Sequence, residues 1–407
     1  MPYKGDNLMA VKRTNRSAAL RSLHEQGAMS RKRLAENIRL TPAAITKIVA
    51  EMMEEGLVQE GPSLPSGGAG RREVLVELRP QARCALGLLI NRGQAILSGV
   101  WMDGEVIFSE ELSLPVPAPA DETVARLCAR LTALARENGL ESERLLGVGI
   151  AVRGVTEADG RTVRNSFGAL DQADYPLAER VEACMGLPAV MANNVRALFA
   201  AQMFLSRDLE LRSQFFLRCE YGIGGSLAID RRIWRGGTEQ CAEIGHIPVV
   251  TRGGKPCSCG KSGCLETIAS PAAIREDALA LLSKGEAPLL EAMLRGKAPE
   301  SLSVGQVLEA ARNGDAAVAA LVDRAVGCLA AALKSVIYVI DPEKIVLYGR
   351  LFENSYYLAR LKAELRVGVD AGHNVTVEKS RYNERLEPCA AALLVVQTFL
   401  EKGGMAL

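Results

Sequence analysis

Two patterns of hydrophobic positions divide the chain near residue 80. Before that point, apolar residues recur at helical spacing over residues 7–26, 31–37 and 43–55. After it, short apolar runs typical of buried strands alternate with amphipathic stretches. The first pattern predicts a small, mainly helical domain over residues 1–80, and the second predicts a larger α/β body.

The two short helices of the first domain predict a winged helix-turn-helix. Ser30 and Thr41 are placed to cap them, and Pro42 follows Thr41 at the first helical position. The tight connection at 38–40 suits a helix-turn-helix unit. Strands predicted at 57–60 and 74–78 flank a loop rich in Gly, Pro and Ser, which predicts a wing.

The body is expected to form two lobes with a cleft between them. We predict a small lobe over residues 81–194, completed by about 381–407, and a large lobe over 195–380. Its strands are predicted at 85–90, 95–101, 106–112, 146–152, 189–192, 215–218, 226–229 and 344–348. Its helices are predicted at 123–138, at 177–185, from 195 onward, within 271–339 and at 388–400.

Composition and charge narrow the class of protein. Hydrophobic residues make up 48% and charged residues 24% of the chain, which is typical of a globular protein. We find no apolar run approaching the roughly twenty residues needed to span a bilayer and no apolar signal segment, so we expect a cytoplasmic protein without a membrane partner. The net charge is +1, but residues 1–80 carry 13 Lys and Arg against 9 Asp and Glu, and the remainder carries 36 against 39. A basic first domain favours nucleic-acid binding there.

One group of cysteines predicts a metal site. Seven of the ten cysteines are scattered singly, whereas Cys257, Cys259 and Cys264 lie within eight residues, with His246 eleven residues before the first of them. Three thiolates and one imidazole complete a closed tetrahedral zinc site, which is structural rather than catalytic. The alternatives are a chance cluster of reduced cysteines and a redox switch.

Six residues are predicted to meet double-stranded DNA. Four lie at the N-terminal end of the second short helix, which enters the major groove in helix-turn-helix proteins, and two lie in the wing. They are Thr41, Ala43, Thr46, Lys47, Arg71 and Arg72. The alternative is a solvated helical hairpin that contacts another protein.

The motifs together resemble the ROK family (repressors, open reading frames and sugar kinases), and within it the repressor branch. The resemblance is carried by the helix-turn-helix of residues 30–55, by Glu-Ile-Gly-His at 243–246 and by Cys-x-Cys-Gly-x-x-Gly-Cys-x-Glu at 257–266. It implies a two-lobed actin-like, sugar-kinase-like (ribonuclease H-like) body with a structural zinc site, and places the sugar pocket, the zinc and the oligomer interface in the large lobe. The sugar-binding residues that it implies are Asn193, Asn194, Glu243, His246 and Glu266.

The same resemblance implies that phosphoryl transfer has been lost. Asn194 stands where the family's kinases have the Asp that takes the proton from the sugar hydroxyl, and an amide cannot accept it. The first phosphate turn is replaced by Asn91-Arg92-Gly93, and Glu220 precedes the partly retained glycines of the second. We therefore expect no enzyme activity. For Glu243 and Glu266, surface carboxylates near a structural zinc remain the alternative to a sugar pocket.

These inferences predict a transcriptional repressor of sugar uptake or catabolism genes. A homodimer or homotetramer would place its winged domains on a pseudo-palindromic operator, under control of a sugar or sugar phosphate. Whether the ligand releases or promotes DNA binding stays open. Two rivals remain: a sugar kinase with an added DNA-binding domain, and a regulator controlled by docking on a sugar-transport protein.

Overall fold

A computed structural model describes residues 8–64, 73–208, 210–294, 296–367 and 372–407. The chain divides between residues 209 and 210, and again between 383 and 384, into two compact units. The first unit holds the N-terminal half and the C-terminal segment of the chain, and the second holds residues 210–383.

The head, residues 1–80, contains three helices and a three-stranded antiparallel sheet among its described residues. Its elements are α1 (Leu8–Gln26), β1 (Met29–Ser30), α2 (Arg31–Ile38), α3 (Pro42–Glu54), β2 (Val58–Leu64) and β3 (Glu73–Leu78), with strand order β1-β3-β2. The Ser30 and Thr41 hydroxyls accept the backbone N–H groups of Arg33 and Ala44, which confirms both predicted caps. The wing strand β2 extends past residue 60, where we had placed the loop.

The rest of the first unit is a mixed sheet covered by helices. Its elements are β4 (Cys84–Asn91), β5 (Gln94–Trp101), β6 (Val106–Ser113), α4 (Ala120–Glu137), β7 (Leu145–Val152), β8 (Val155–Thr156), β9 (Val163–Asn165), α5 (Leu177–Met185), β10 (Ala189–Asn193) and α6 (Asn194–Ser206). The strand order is β10-β7-β4-β5-β6, and β10, β7 and β4 run parallel. Parallel strands end at one edge, which brings Asn91 and Asn193 to the same side of the sheet. The predicted lobe boundary at residue 194 is the first residue of α6, and α6 lies wholly in the first unit.

The second unit contains a second five-stranded sheet with helices packed against it. Its elements are β11 (Ser213–Cys219), β12 (Ile223–Ile229), β13 (Arg232–Trp234), α7 (Glu266–Ala269), α8 (Pro271–Ser283), α9 (Pro288–Leu294), α10 (Val304–Arg312), α11 (Ala316–Ile340), β14 (Lys344–Tyr348), α12 (Arg350–Glu353), α13 (Ser355–Arg366) and β15 (Thr376–Lys379). The strand order is β13-β12-β11-β14-β15. Both units are therefore α/β, as the alternating pattern predicted.

The expectation about apolar segments needs correction at α11. This helix has 25 residues and a mean hydropathy of 1.8, so by length and composition it could cross a membrane. Ten of its residues, including Val322, Leu329 and Leu333, are buried in the hydrophobic core of the second unit. Its apolar character is therefore accounted for by packing within the protein.

The chain returns to the first unit in α14 (Asn383–Glu401). We predicted this helix from residue 388, because proline favours the first helical position. The helix instead begins five residues earlier and contains Pro388. Gly87 and Gly149 allow it close to the sheet, since a Cβ atom at Gly149 would lie 1.7 Å from the Ala391 carbonyl oxygen.

Candidate metal centre and nucleic-acid interface

The four predicted metal ligands converge in the second unit. One ligand atom from each of His246, Cys257, Cys259 and Cys264 lies within 4.8 Å of the other three. Cys257 Sγ is 3.5 Å from His246 Nδ1, and Cys259 Sγ is 3.7 Å from Cys264 Sγ. With bonds of about 2.3 Å to sulfur and about 2.0 Å to nitrogen, the edges of a tetrahedron around zinc measure about 3.5 to 3.8 Å. The residues therefore fit a tetrahedral metal ion.

Glycines and backbone hydrogen bonds hold the cysteine loop in this shape. Gly260 and Gly263 have φ of 85° and 75°, and a Cβ atom at Gly263 would lie 1.9 Å from the Val250 carbonyl oxygen. Only glycine fits at position 263. The Cys257 N–H donates to the Lys261 carbonyl at 2.8 Å, which closes the turn that brings the first two cysteines together.

The surroundings of the three thiols affect their ionisation differently. Burial raises the pKa of Cys257 and Cys264, so their thiols resist ionising without a partner. Burial also opposes ionisation of Cys259, but hydrogen bonds from the Lys261 N–H and from the other two thiols outweigh it and lower the pKa. A metal ion would supply the positive charge that three adjacent thiolates require.

Glu266 lies against the metal cluster, whereas Glu243 is more exposed. The Glu266 Oε1 atom is 3.0 Å from Cys257 Sγ and 3.6 Å from His246 Nδ1. Its other oxygen faces Gly222, where a Cβ atom would approach it to 2.9 Å. Glu243 precedes the short 3-10 turn that carries His246, and its side chain is exposed. The second unit thus gathers three of the five predicted sugar-binding residues near one loop.

The other two predicted sugar-binding residues, Asn193 and Asn194, start α6 in the first unit. Asn193 caps the helix by accepting the Val195 N–H at 2.8 Å, and its amide donates to the Gly154 carbonyl at 2.5 Å. Asn194 is buried, and its Nδ2 donates to Asn91 Oδ1 at 2.8 Å. The side chains at the predicted base position and at the altered phosphate turn therefore form an amide pair.

Gly222, Gly224 and Gly225 are the glycines retained from the second phosphate turn of the family's kinases, and the last two lie within a strand. Gly224 and Gly225 belong to β12 and pair with Arg218 and Leu217 of β11. A Cβ atom at Gly225 would lie 2.6 Å from the Ala242 carbonyl oxygen, so close packing requires glycine here. Glu220, just before this strand, accepts the Arg350 N–H at 3.0 Å.

The predicted reading end of α3, hereafter the recognition helix, is exposed. Thr41, Ala43, Thr46 and Lys47 are all exposed, while Ile45, Ile48, Val49 and Met52 on the opposite face are buried. The Thr46 hydroxyl donates to the Pro42 carbonyl at 2.8 Å, which leaves its oxygen free to accept. Arg71 and Arg72, the predicted wing contacts, lie outside the described residues.

Three further basic side chains of the head are exposed but were not among the predicted DNA contacts. Lys32 and Arg33 in the first turn of α2 and Arg39 after its last are exposed. The helix N-terminus and the Lys and Arg side chains beside it are suited to phosphate groups. The run Arg31-Lys32-Arg33 was visible in the sequence. Arg31 forms an ion pair with Glu60 at 3.0 Å.

Comparison with protein families identifies the body. The model of the ROK family matches residues 94–394, well over half of the chain. The chain belongs to the ROK family. The model of the MarR family matches residues 15–63, which cover most of α1, all of α2 and α3, and most of β2. The predicted family and the winged head are thus confirmed.

Individual ROK proteins resemble the chain over most of its length. The DNA-binding transcriptional dual regulator NagC of Escherichia coli is 26% identical over 351 residues, covering 85% of this chain and 83% of that protein. A crystal structure of a ROK family transcriptional regulator, described as a homologue of the E. coli Mlc protein, has a TM-score of 0.79 at 22% identity and covers 97% and 98% of the two chains.

A ROK kinase resembles about three quarters of the chain in structure. The structure of a ROK family glucokinase from Streptomyces griseus, in complex with glucose and AMPPNP, has a TM-score of 0.65 at 22% identity. It covers 76% of this chain and 98% of the glucokinase. The likeness establishes the sugar-kinase-like fold of the body.

Proposed function

We propose that this ROK protein is a sequence-specific transcriptional regulator that represses genes of sugar uptake or catabolism. The observation that carries the proposal is the exposed, polar N-terminal end of the recognition helix on a MarR-type head. NagC and the structurally similar regulator, both described as transcriptional regulators, support it. The head would bind double-stranded operator DNA in the cytoplasm, with Thr41, Ala43, Thr46 and Lys47 in the major groove.

Two copies of the head are needed for a symmetric operator. We propose a homodimer or homotetramer, whose interface would lie in the second unit, so that paired recognition helices meet half-sites about one helical turn apart. Arg71 and Arg72 would enter the minor groove beside each half-site, and Lys32, Arg33 and Arg39 would meet phosphates.

The controlling ligand is a sugar or a sugar phosphate. Its hydroxyl groups would be bound by the predicted residues Asn193, Asn194, Glu243, His246 and Glu266. Paired carboxylate oxygens accept hydrogen bonds from vicinal hydroxyls, and amides accept and donate them. The ligand would act by binding the DNA-free and DNA-bound conformations with different affinity.

The metal ion is proposed to be zinc, held by His246, Cys257, Cys259 and Cys264. The donor set of three thiolates and one imidazole leaves no open position, so the ion would supply structural cross-linking. Holding His246 and the loop that leads into Glu266, it would fix both sugar-binding side chains.

The kinase alternative is disfavoured by the Asn91–Asn194 pair. The resemblance places the proton-accepting Asp of ROK kinases at position 194, and their first phosphate turn at residues 89–93, which include Asn91. The Asn194 amide donates to Asn91 at 2.8 Å and, unlike a carboxylate, cannot act as the general base that takes the proton from a sugar hydroxyl. Docking on a sugar-transport protein is a second route of control, and it would use the same DNA-binding head.

The test is a selection of DNA by the purified protein. A random-sequence duplex library should yield a pseudo-palindromic site with half-sites about one turn apart. A thermal-shift screen of sugars and sugar phosphates should then identify a ligand that raises the Tm, and that ligand should change the affinity for the selected duplex. Failure to enrich any sequence would contradict the proposed function as a sequence-specific regulator. Enrichment without any ligand effect would favour control by a protein partner.

A further inference from the structure

The C-terminal end of the chain packs against the head. After α14, Gly403 and Gly404 have φ of 70° and 78°. A Cβ atom at Gly403 would lie 2.7 Å from the Arg13 carbonyl oxygen, and one at Gly404 would lie 2.6 Å from Leu57 Cδ1. The two glycines therefore allow the chain end to lie directly against α1 and the segment that follows the recognition helix.

Arg16 of α1 connects this chain end to the recognition helix. Its side chain is 2% exposed, and its Nε donates to the Gly403 carbonyl oxygen at 2.7 Å. Its Nη1 donates to Glu55 Oε1 at 2.8 Å, and its Nη2 pairs with the other oxygen of the same carboxylate. Glu55 is the C-cap of the recognition helix. One buried guanidinium thus bonds to the body on one side and to the recognition helix on the other.

The body side of this connection is fixed to the sheet that ends at Asn91 and Asn193. The Ala391 carbonyl of α14 lies against Gly149 of β7. The Gln397 Nε2 of α14 donates to the Ala200 carbonyl of α6 at 2.8 Å. A shift of α14 would therefore move Gly403 relative to the head, or break its bond to Arg16. Breaking the bond would leave a buried donor of a charged group unsatisfied, which is costly.

We propose that Arg16 is a positioning residue for DNA binding. By joining Gly403 to Glu55, it sets the orientation in which the recognition helix is held on the body. Specific binding needs that orientation, because both helices of an oligomer must reach base edges together. Non-specific binding, which depends on attraction to phosphates, needs it far less. The inference rests on the proposed DNA-binding function.

Two variants, one for each side of the Gly403–Arg16–Glu55 connection, test the proposal without altering a DNA-facing residue. Gly403→Ala inserts a methyl group into the chain-end contact, and Gly139→Ala is its control, since Gly139 has φ of 68° with nothing within 4 Å of its Cβ position. Glu55→Gln weakens the pair with Arg16. Glu54→Gln is its control, because it removes the same charge from the neighbouring exposed residue.

The probe is the duplex that the wild-type protein selects, with a shuffled duplex of the same length beside it. Gly403→Ala and Glu55→Gln should each bind the selected duplex about tenfold more weakly than their controls, and the shuffled duplex within about threefold. A purely structural role for Arg16 would lower both affinities together or change only the Tm. Equal ratios of specific to non-specific affinity in variants and controls would overturn the proposal. If the wild-type protein selects no duplex, the proposed function fails and this inference with it.

Discussion

At the scale of single residues, the metal cluster gives the most direct prediction. Cys259→Ser removes one of four ligands, so the variant should hold far less zinc than the wild-type protein, which should contain about one ion per chain. It should also lose the Tm increase produced by the sugar, because Glu266 and His246 depend on the same loop. Elemental analysis and thermal shift measure the two effects. Cys184→Ser, an exposed cysteine outside the cluster, is the control. Full metal occupancy in Cys259→Ser would exclude the assignment.

The amide pair predicts the absence of phosphoryl transfer. The wild-type protein with ATP and sugar should show no turnover near ordinary kinase rates, on the order of 1 per second. Asn194→Asp restores a carboxylate but leaves Asn91-Arg92-Gly93 unchanged, so it should not restore activity. A coupled assay for ADP, with a ROK glucokinase as positive control, measures both proteins. Sugar-dependent ADP release by the wild-type protein would favour the kinase alternative.

His24 predicts how the first unit responds to acid. Its ring stacks on Phe204 with centroids 3.9 Å apart, and burial lowers its pKa to about 4. Arg207 and Arg21 lower the pKa further, while the Phe204 carbonyl and Asp103 act in the opposite direction. The unfolded chain, with a pKa near 6.5, binds a proton before the folded one does. Stability should therefore fall as the pH drops through 6.5 towards 4, by about 2 kcal/mol at pH 5.

Urea denaturation at pH 7 and pH 5 isolates this effect when His24→Phe is measured beside the wild-type protein. Phenylalanine keeps a ring against Phe204 and has no proton to bind. The variant should lose about 2 kcal/mol less than the wild-type protein between the two pH values, since all other groups titrate in both. Equal losses would show that folding does not lower the pKa of His24.

At the scale of elements, the recognition helix predicts a division between charge and base reading. Lys47→Ala should weaken DNA binding and lower the salt slope by about one unit, because one phosphate contact is lost. Thr46→Ala should relax preference at particular base pairs with less change in slope. Titrations at several salt concentrations separate the two. Lys284→Ala, an exposed lysine of α8's C-cap, removes the same charge from the body and should change neither quantity. An unchanged slope for Lys47→Ala would place that side chain away from the DNA.

Local sequence signals predicted most helices and strands, but they could not predict contacts between residues far apart in the sequence. The caps at Ser30 and Thr41 and the cysteine loop depend on residues close in sequence, and the structure confirms their positions. The Asn91–Asn194 bond spans 103 positions and the Arg16–Gly403 bond spans 387. Such contacts depend on how strands and helices pack, which no local pattern encodes. The predicted start of α14 at residue 388 was wrong for a local reason. In the sequence, a proline within the first turns of a helix looks the same as a proline at the first helical position.

At the scale of the whole molecule, we expect binding of the sugar to change the affinity for operator DNA, and binding of the DNA to change the affinity for the sugar. The predicted sugar-binding residues are divided between the two units, and the recognition helix belongs to the first. A ligand that binds one conformation of the protein more tightly favours that conformation, and only such a difference in affinity can alter DNA binding. The direction of the response then depends on which conformation holds the recognition helices at the spacing of the operator.

The corresponding prediction is reciprocity. If the sugar changes the Kd for the selected duplex by some factor, the duplex should change the Kd for the sugar by the same factor, because both describe one coupling free energy. Calorimetry with and without the duplex, and DNA titration with and without saturating sugar, give the two factors independently. Glu266→Gln should weaken sugar binding while retaining zinc, since it alters a carboxylate beside the metal ligands rather than a ligand. A sugar that binds tightly with both factors near one would show that the ligand alone does not control DNA binding. Control by docking on a transport protein would then be the explanation to pursue.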